Sequence, residues 1–224
     1  APQPGSCQPT FSRLANHSIF LSMTGWTINA AELRIPRRSR FAAHRMVVIA
    51  DASGRAVRQL NGLASWFDNE QYAWRHKPIG YLPTDRLRGY DTKTHPRTFM
   101  PINGAVLPDW NIAPAIATGA ACVLADDLTR DEVELRLAPA LEALRRINAL
   151  SKGPDGGAGL PYPFMGFGRN SNSFFATMLH AMGFDHPTFA NAAWLVPGAR
   201  GLLLPAESFS GPSRESRLAQ PGNS

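Results

Sequence analysis

A serine and a histidine far apart in the chain, Ser171 and His44, are of the types that nucleophilic chemistry needs. Ser171 lies in Gly166-Phe167-Gly168-Arg169-Asn170-Ser171-Asn172-Ser173-Phe174-Phe175, which runs into the apolar stretch Ala176-Thr177-Met178-Leu179-His180-Ala181-Met182-Gly183. Glycines and small polar residues here deliver the chain into a short helix that Gly183 can close as a left-handed cap. Ser171 is predicted at or just before the helix N-terminus, where unpaired backbone N–H groups and the positive end of the helix dipole stabilise an alkoxide or oxyanion. The plain alternative is that Ser171, Asn172 and Ser173 only cap the helix, since these types are preferred caps.

His44 opens a segment with a hairpin signature: Ala43-His44-Arg45-Met46-Val47-Val48-Ile49-Ala50, the turn Asp51-Ala52-Ser53-Gly54, and Arg55-Ala56-Val57-Arg58-Gln59-Leu60-Asn61. If Ala52 and Ser53 form a two-residue loop, Asp51 pairs with Gly54. Counting outward then sets Val48 opposite Val57, Met46 opposite Gln59 and His44 opposite Asn61. An imidazole beside a side-chain amide is expected from register alone. A one-residue bulge would break that pairing, and Ser53-Gly54 permits one.

The other histidines fit the chemistry less well. His180 follows Ser171 by nine residues, about 180° around a helix, so it cannot act as a base for Ser171 within that helix. His17, His76, His95 and His186 lie in loop-like sequence, and no pair has zinc-motif spacing. No metal and no cofactor is expected, since Gly166-Phe167-Gly168 also lacks the third glycine and the preceding context of a dinucleotide loop. Cys7 and Cys122 have no Cys or His at ligand spacing and are expected to pair as a long-range disulfide if the protein is exported. The start Ala-Pro-Gln-Pro-Gly-Ser-Cys, without Met, reads as a mature chain, and the expected location is secreted or periplasmic.

The surrounding elements must position these groups. The 224 residues, 44% hydrophobic, suit one domain over 18–206, with an N-terminal extension over 1–17 and a polar tail over 207–224. Residues 18–28 are rich in β-formers, and Asn29 to Arg40 reads as a short helix or loop broken by Pro36. Gly62 to Pro83, with Trp66, Phe67, Tyr72 and Trp74, reads as a loop or short strands decorating the hairpin. Residues 84–114 are dense in turn residues and read as partly irregular, while 115–125 is a buried strand or a short helix. Thr129 to Leu150 carries the strongest helical pattern. Thr129 is its N-cap, Val133, Leu137, Leu141, Leu144 and Ile147 form its apolar stripe, and Pro139 inside it implies a kink or a break. The expected fold is α+β, an antiparallel sheet containing the 43–61 hairpin packed against the helix that begins near Ser171. Its apolar side, Phe174, Phe175, Met178, Leu179 and Met182, is the expected cover.

A histidine at the start of a hairpin strand, followed much later by a small polar nucleophile at a helix N-terminus, resembles the order in circularly permuted papain-like enzymes. These include the lecithin retinol acyltransferase relatives and the PPPDE peptidases, whose motif reads like Asn-Cys-Asn-x-Phe. Asn170-Ser171-Asn172-Ser173-Phe174 is similar to it, with serine where cysteine stands. An uncharacterised bacterial family similarly carries Asn-Ser-Asn-Thr-Phe after a Tyr-Pro-Tyr-like segment, as Tyr162-Pro163-Phe164 precedes it here. The resemblance covers His44 to Asn61 and Tyr162 to Gly183. It implies His44 as general base, Ser171 as nucleophile and Asn61 as the group orienting the imidazole, with Asp51 or Asp68 as acids that could reinforce it. The oxyanion is then expected to meet the Ser171 backbone N–H and a side-chain amide, Asn170 or Gln59.

The expected function is a hydrolase or acyltransferase acting on an amide or ester of a cell-wall peptide, a protein or a lipid through the Ser171 and His44 pair. Alternatives are a binding module with an inactive site and a basic nucleic-acid-binding or nuclease domain. The net charge of +6, dense at Arg34, Arg37, Arg38 and Arg40, suits an anionic polymer, lipid or protein partner, with nucleic acid less favoured for want of a recognisable module. No run of residues is long and apolar enough for a membrane helix, and a monomer is expected.

Overall fold

In the computed structural model, residues 25–35, 42–100, 110–150, 159–190, 192–193 and 195–209 are described. The extension over 1–17, Cys7 and nearly all of the tail over 207–224 lie outside them. Seven strands form one antiparallel sheet: β1 (Trp26–Ile35), β2 (Ala42–Ala50), β3 (Ala56–Asp68), β4 (Ala73–Lys77), β5 (Arg86–Asp91), β6 (Ala121–Leu128) and β7 (Leu160–Pro161). Their order is β6-β1-β2-β3-β5-β7, with β4 paired to the far half of β3. The helices are α1 (Ala113–Ala117), α2 (Arg130–Ala149) and α3 (Ser171–Ala181).

The central strands are buried on both faces, so both must be covered. On one face α2 and α3 pack Val133, Leu137, Phe174, Phe175, Met178 and Leu179 over Ile28, Val47, Ile49 and Leu60. On the other, Trp110, Ile112 and α1 cover Ala31, Met46, Val48 and Ala50. Thr129 caps α2 in a reciprocal box with Glu132, and the helix runs through Pro139 as one element from 130 to 149.

One expectation is corrected and three are made specific. Asn29 to Ile35 belongs to strand β1, not to a helix or loop, because its polar residues find partners within the sheet. Asn29 donates to Thr27 Oγ1 and the Val48 carbonyl, and Glu32 holds Arg45 at 3.0 Å with both side chains buried. The stretch 62–83 contains the end of a thirteen-residue strand and a second hairpin, turned where Asp68 accepts from the Glu70 and Gln71 backbone N–H groups. Within 84–114 lies β5, whose Gly89 pairs with Gly62 of β3. Residues 115–125 contain the end of α1 and the start of β6.

The hairpin register also differs from the expected one. Asp51 N–H donates to the Arg55 carbonyl, so the loop is Ala52-Ser53-Gly54, with Gly54 at φ +78°. This is the positive-φ glycine of a three-residue hairpin loop. A second slip follows at Val57, between the pairs Ala50–Ala56 and Ile49–Arg58. Val48 therefore lies opposite Gln59, not Val57. Two single slips add up to an even shift, so Asn61 stays on the His44 face, diagonal to His44 rather than opposite it.

Candidate functional site

The ladder between β2 and β3 ends at Val47–Leu60, and beyond it β3 turns to β5 and β4. The N-terminus of α3 enters the gap this leaves. Asn172 takes the place of a strand partner: its Oδ1 accepts from the Arg45 N–H at 3.0 Å and its Nδ2 donates to the Ala43 carbonyl at 3.1 Å. The helix end is thus bonded to the strand residues on either side of His44.

The N-cap of α3 is Asn170, not Ser171. Asn170 Oδ1 accepts from the Asn172 and Ser173 backbone N–H groups, and its Nδ2 donates to the Gly166 and Pro197 carbonyls. Ser173 closes the capping box and also donates to the Gly198 carbonyl at 3.0 Å. Gly198 has φ +73°, and a Cβ there would lie 2.5 Å from Ser173 Oγ, so only glycine fits this turn. Asn170, Asn172 and Ser173 are all committed to the chain. Ser171, at the first helical position, makes no capping bond; its Oγ receives a hydrogen bond from the Tyr162 hydroxyl at 3.4 Å.

Ser171 and His44 line one cleft of about 300 Å³, with Tyr162, Ile79, Phe167 and Leu195 among its walls. Its described lining contains no Asp, Glu, Lys or Arg. The arginine excess therefore does not supply this site, among the described residues.

His44 is buried, and its Nε2 lies 3.4 Å from Asn61 Oδ1. Asn61 is held in turn: its Nδ2 donates to Gln59 Oε1 at 3.0 Å and to the Thr98 carbonyl at 3.1 Å. That leaves Oδ1, an acceptor only, facing the imidazole, so Nε2 carries the proton and Nδ1 the lone pair. Nδ1 is buried and makes no hydrogen bond among the described residues. Burial pushes the His44 pKa down to about 4 despite the Asn61 hydrogen bond, so the ring is neutral at pH 7.

Sequence reasoning located His44, Asn61 and Ser171, and the structure brings His44 and Asn61 into contact and His44 and Ser171 to one cleft. Two assignments change. The Asn170 oxygen is used in capping and its amide protons are donated to the Gly166 and Pro197 carbonyls, which leaves it no proton for an oxyanion. Gln59 lies behind Asn61, exchanging hydrogen bonds with the Met100 backbone at 2.9 and 3.0 Å, and so braces Asn61 rather than facing the cleft. Asp51 and Asp68 are engaged with Ser53 and Arg55, and with Arg75, respectively; neither reinforces His44. Tyr162 was known only as a motif neighbour; nothing in its sequence position shows that its hydroxyl reaches Ser171.

Among the described residues, no group of three or more His, Cys, Asp or Glu could hold a metal ion, and no helix is long and apolar enough to cross a membrane. Cys122 is buried in β6. No protein family, curated protein or solved structure matches the chain.

Proposed function

We propose that the protein is a hydrolase or acyltransferase that acts on an ester or amide through Ser171, in a fold of the circularly permuted papain-like kind. The observation that carries this reading is the unpartnered, buried Nδ1 of His44 in the same cleft as Ser171, with Asn61 holding the opposite nitrogen. An unsatisfied buried acceptor is costly, and a catalytic task is one explanation for it. Ser171 is the one polar residue of the 170–173 run whose side chain bonds neither the helix cap nor a backbone group among the described residues; its Oγ only accepts from the Tyr162 hydroxyl.

In the proposed reaction Ser171 Oγ attacks the acyl carbon and its proton passes to His44 Nδ1. The imidazolium then returns that proton to the leaving oxygen or nitrogen as the tetrahedral intermediate collapses to an acyl-serine. Water or an acceptor alcohol or amine repeats the sequence in reverse. A base with pKa near 4 is weak. Activated esters are therefore favoured over amides, and turnover is expected to be modest. The described lining, which carries no charged side chain, favours an acyl group with apolar flanks.

The alternative is a binding module whose site is inactive. In its favour, Ser171 Oγ is held by Tyr162 while His44 Nδ1 bonds nothing. One experiment separates the two: incubation with a fluorophosphonate, followed by peptide mapping. An adduct on Ser171 that is lost in His44→Ala supports catalysis; no adduct under conditions that label a control serine hydrolase supports the binding module.

A further inference from the structure

The site has a nucleophile, a base and an orienting amide, but the two side-chain amides expected to receive the oxyanion are committed elsewhere. We propose that the hydroxyl of Tyr162, together with the Ser171 backbone N–H, receives the oxyanion formed when Ser171 attacks its substrate. This rests on the nucleophile assignment made above.

Three features place the phenol for that task. Its hydroxyl donates to Ser171 Oγ at 3.4 Å, beside the atom on which the acyl carbon and its oxygen would be carried. Its ring is seated on Gly80, where any Cβ would approach Tyr162 Cδ1 to 2.4 Å. Its backbone is pinned by the Tyr162 N–H bond to the Asp85 carbonyl at 2.9 Å. A donor held this way loses little entropy or reorganisation at the moment of reaction, the condition under which oxyanion donors are effective.

Burial holds the Tyr162 pKa above the ordinary tyrosine value, so the hydroxyl keeps its proton at neutral pH and is a donor. The balance of the step is simple. The Oγ–C bond forms, the Ser171 proton moves to His44 Nδ1, and the carbonyl π pair moves onto oxygen. That oxygen accepts from Tyr162 O–H, which shifts from Oγ to the oxyanion without giving up its proton.

The test compares wild type with Tyr162→Phe on an activated ester and on the matching thionoester, with melting temperature recorded for both proteins. Sulfur is a poor hydrogen-bond acceptor, so an enzyme with a working oxyanion donor prefers the oxo ester, and removing the donor shrinks that preference. Expected for Tyr162→Phe are a kcat on the oxo ester lower by roughly 10²–10³-fold, a KM within about threefold, and a collapsed oxo-to-thiono ratio. A kcat within about threefold of wild type overturns the proposal, as does a loss that leaves the ratio unchanged, which would mark a packing role. Wild type without Ser171-dependent ester turnover overturns the nucleophile assignment and this proposal with it. Turnover that is full in Tyr162→Phe overturns the Tyr162 role alone.

Discussion

At the residue scale, the four consecutive residues Asn170 to Ser173 divide between structure and chemistry, and the division gives unlike expectations for neighbours. Asn170→Ala removes the cap and the bonds to the Gly166 and Pro197 carbonyls, and should lower stability by about 1–2 kcal/mol. Ser171→Ala removes no capping bond, so its melting temperature should match wild type while ester turnover falls to background; thermal melts beside an ester assay check both. If Ser171→Ala instead melts lower and remains active, the residue is a structural one. Asn61→Ala should reduce turnover less than His44→Ala does, since only orientation is lost, and the pairing of either with Ser171→Ala should add little. The types of these residues were legible in the chain because a helix start and a hairpin have local signatures. Ser171 falls at the helix N-terminus as expected, but which residue caps it was not legible, since Asn and Ser are near-equal caps and only the fold chooses between them. Tyr162 was illegible, because nothing local records that Gly80, a loop glycine, makes room for its ring.

At the element scale, the hairpin shows how a wrong register can still give the right neighbours. The slips at Gly54 and Val57 each add one residue, and because side chains alternate with period two, only their odd sum would have parted His44 from Asn61. What the chain hid more thoroughly was the sheet's second half. Gly89 reads as a breaker and Gly62 as the start of a loop or short strands, yet they face each other in β3 and β5 and form the notch that receives the Phe174 ring. A Cβ at either would lie 2.5 Å from a Phe174 atom. Gly89→Ala should therefore push α3 off the sheet, costing about 1–3 kcal/mol by overpacking, and should lower turnover as well because Ser171 moves with the helix. Phe174→Leu in the same background should recover part of both losses. Stability and turnover measured on the single and double variants check this; an unchanged Gly89→Ala would show that the notch does not set the helix position.

At the scale of the whole molecule, the buried neutral His44 ties folding to the chemistry through pH. Its folded pKa, about 4, lies below the ordinary 6.5, so between these values the unfolded chain binds a proton that the native protein does not. Stability from this group is fully present above pH 6.5 and is lost as pH falls toward 4, where it amounts to on the order of 3 kcal/mol. Burial also depresses the pKa of His76 and His186, so wild type alone will not isolate the effect. Denaturant titrations of wild type and His44→Gln at several pH values do, since Gln can keep a donor to Asn61 without titrating. The wild-type curve should fall below the variant's curve by that amount as pH drops from 6.5 to 4, with the two parallel above 7. The same protonation removes the base, so kcat/KM for an activated ester should stay flat through pH 6 and decline only near pH 4. An acid limb near 6.5 would mean that the titrating base is a solvated histidine, and a stability difference independent of pH would mean that His44 is not buried as a neutral ring.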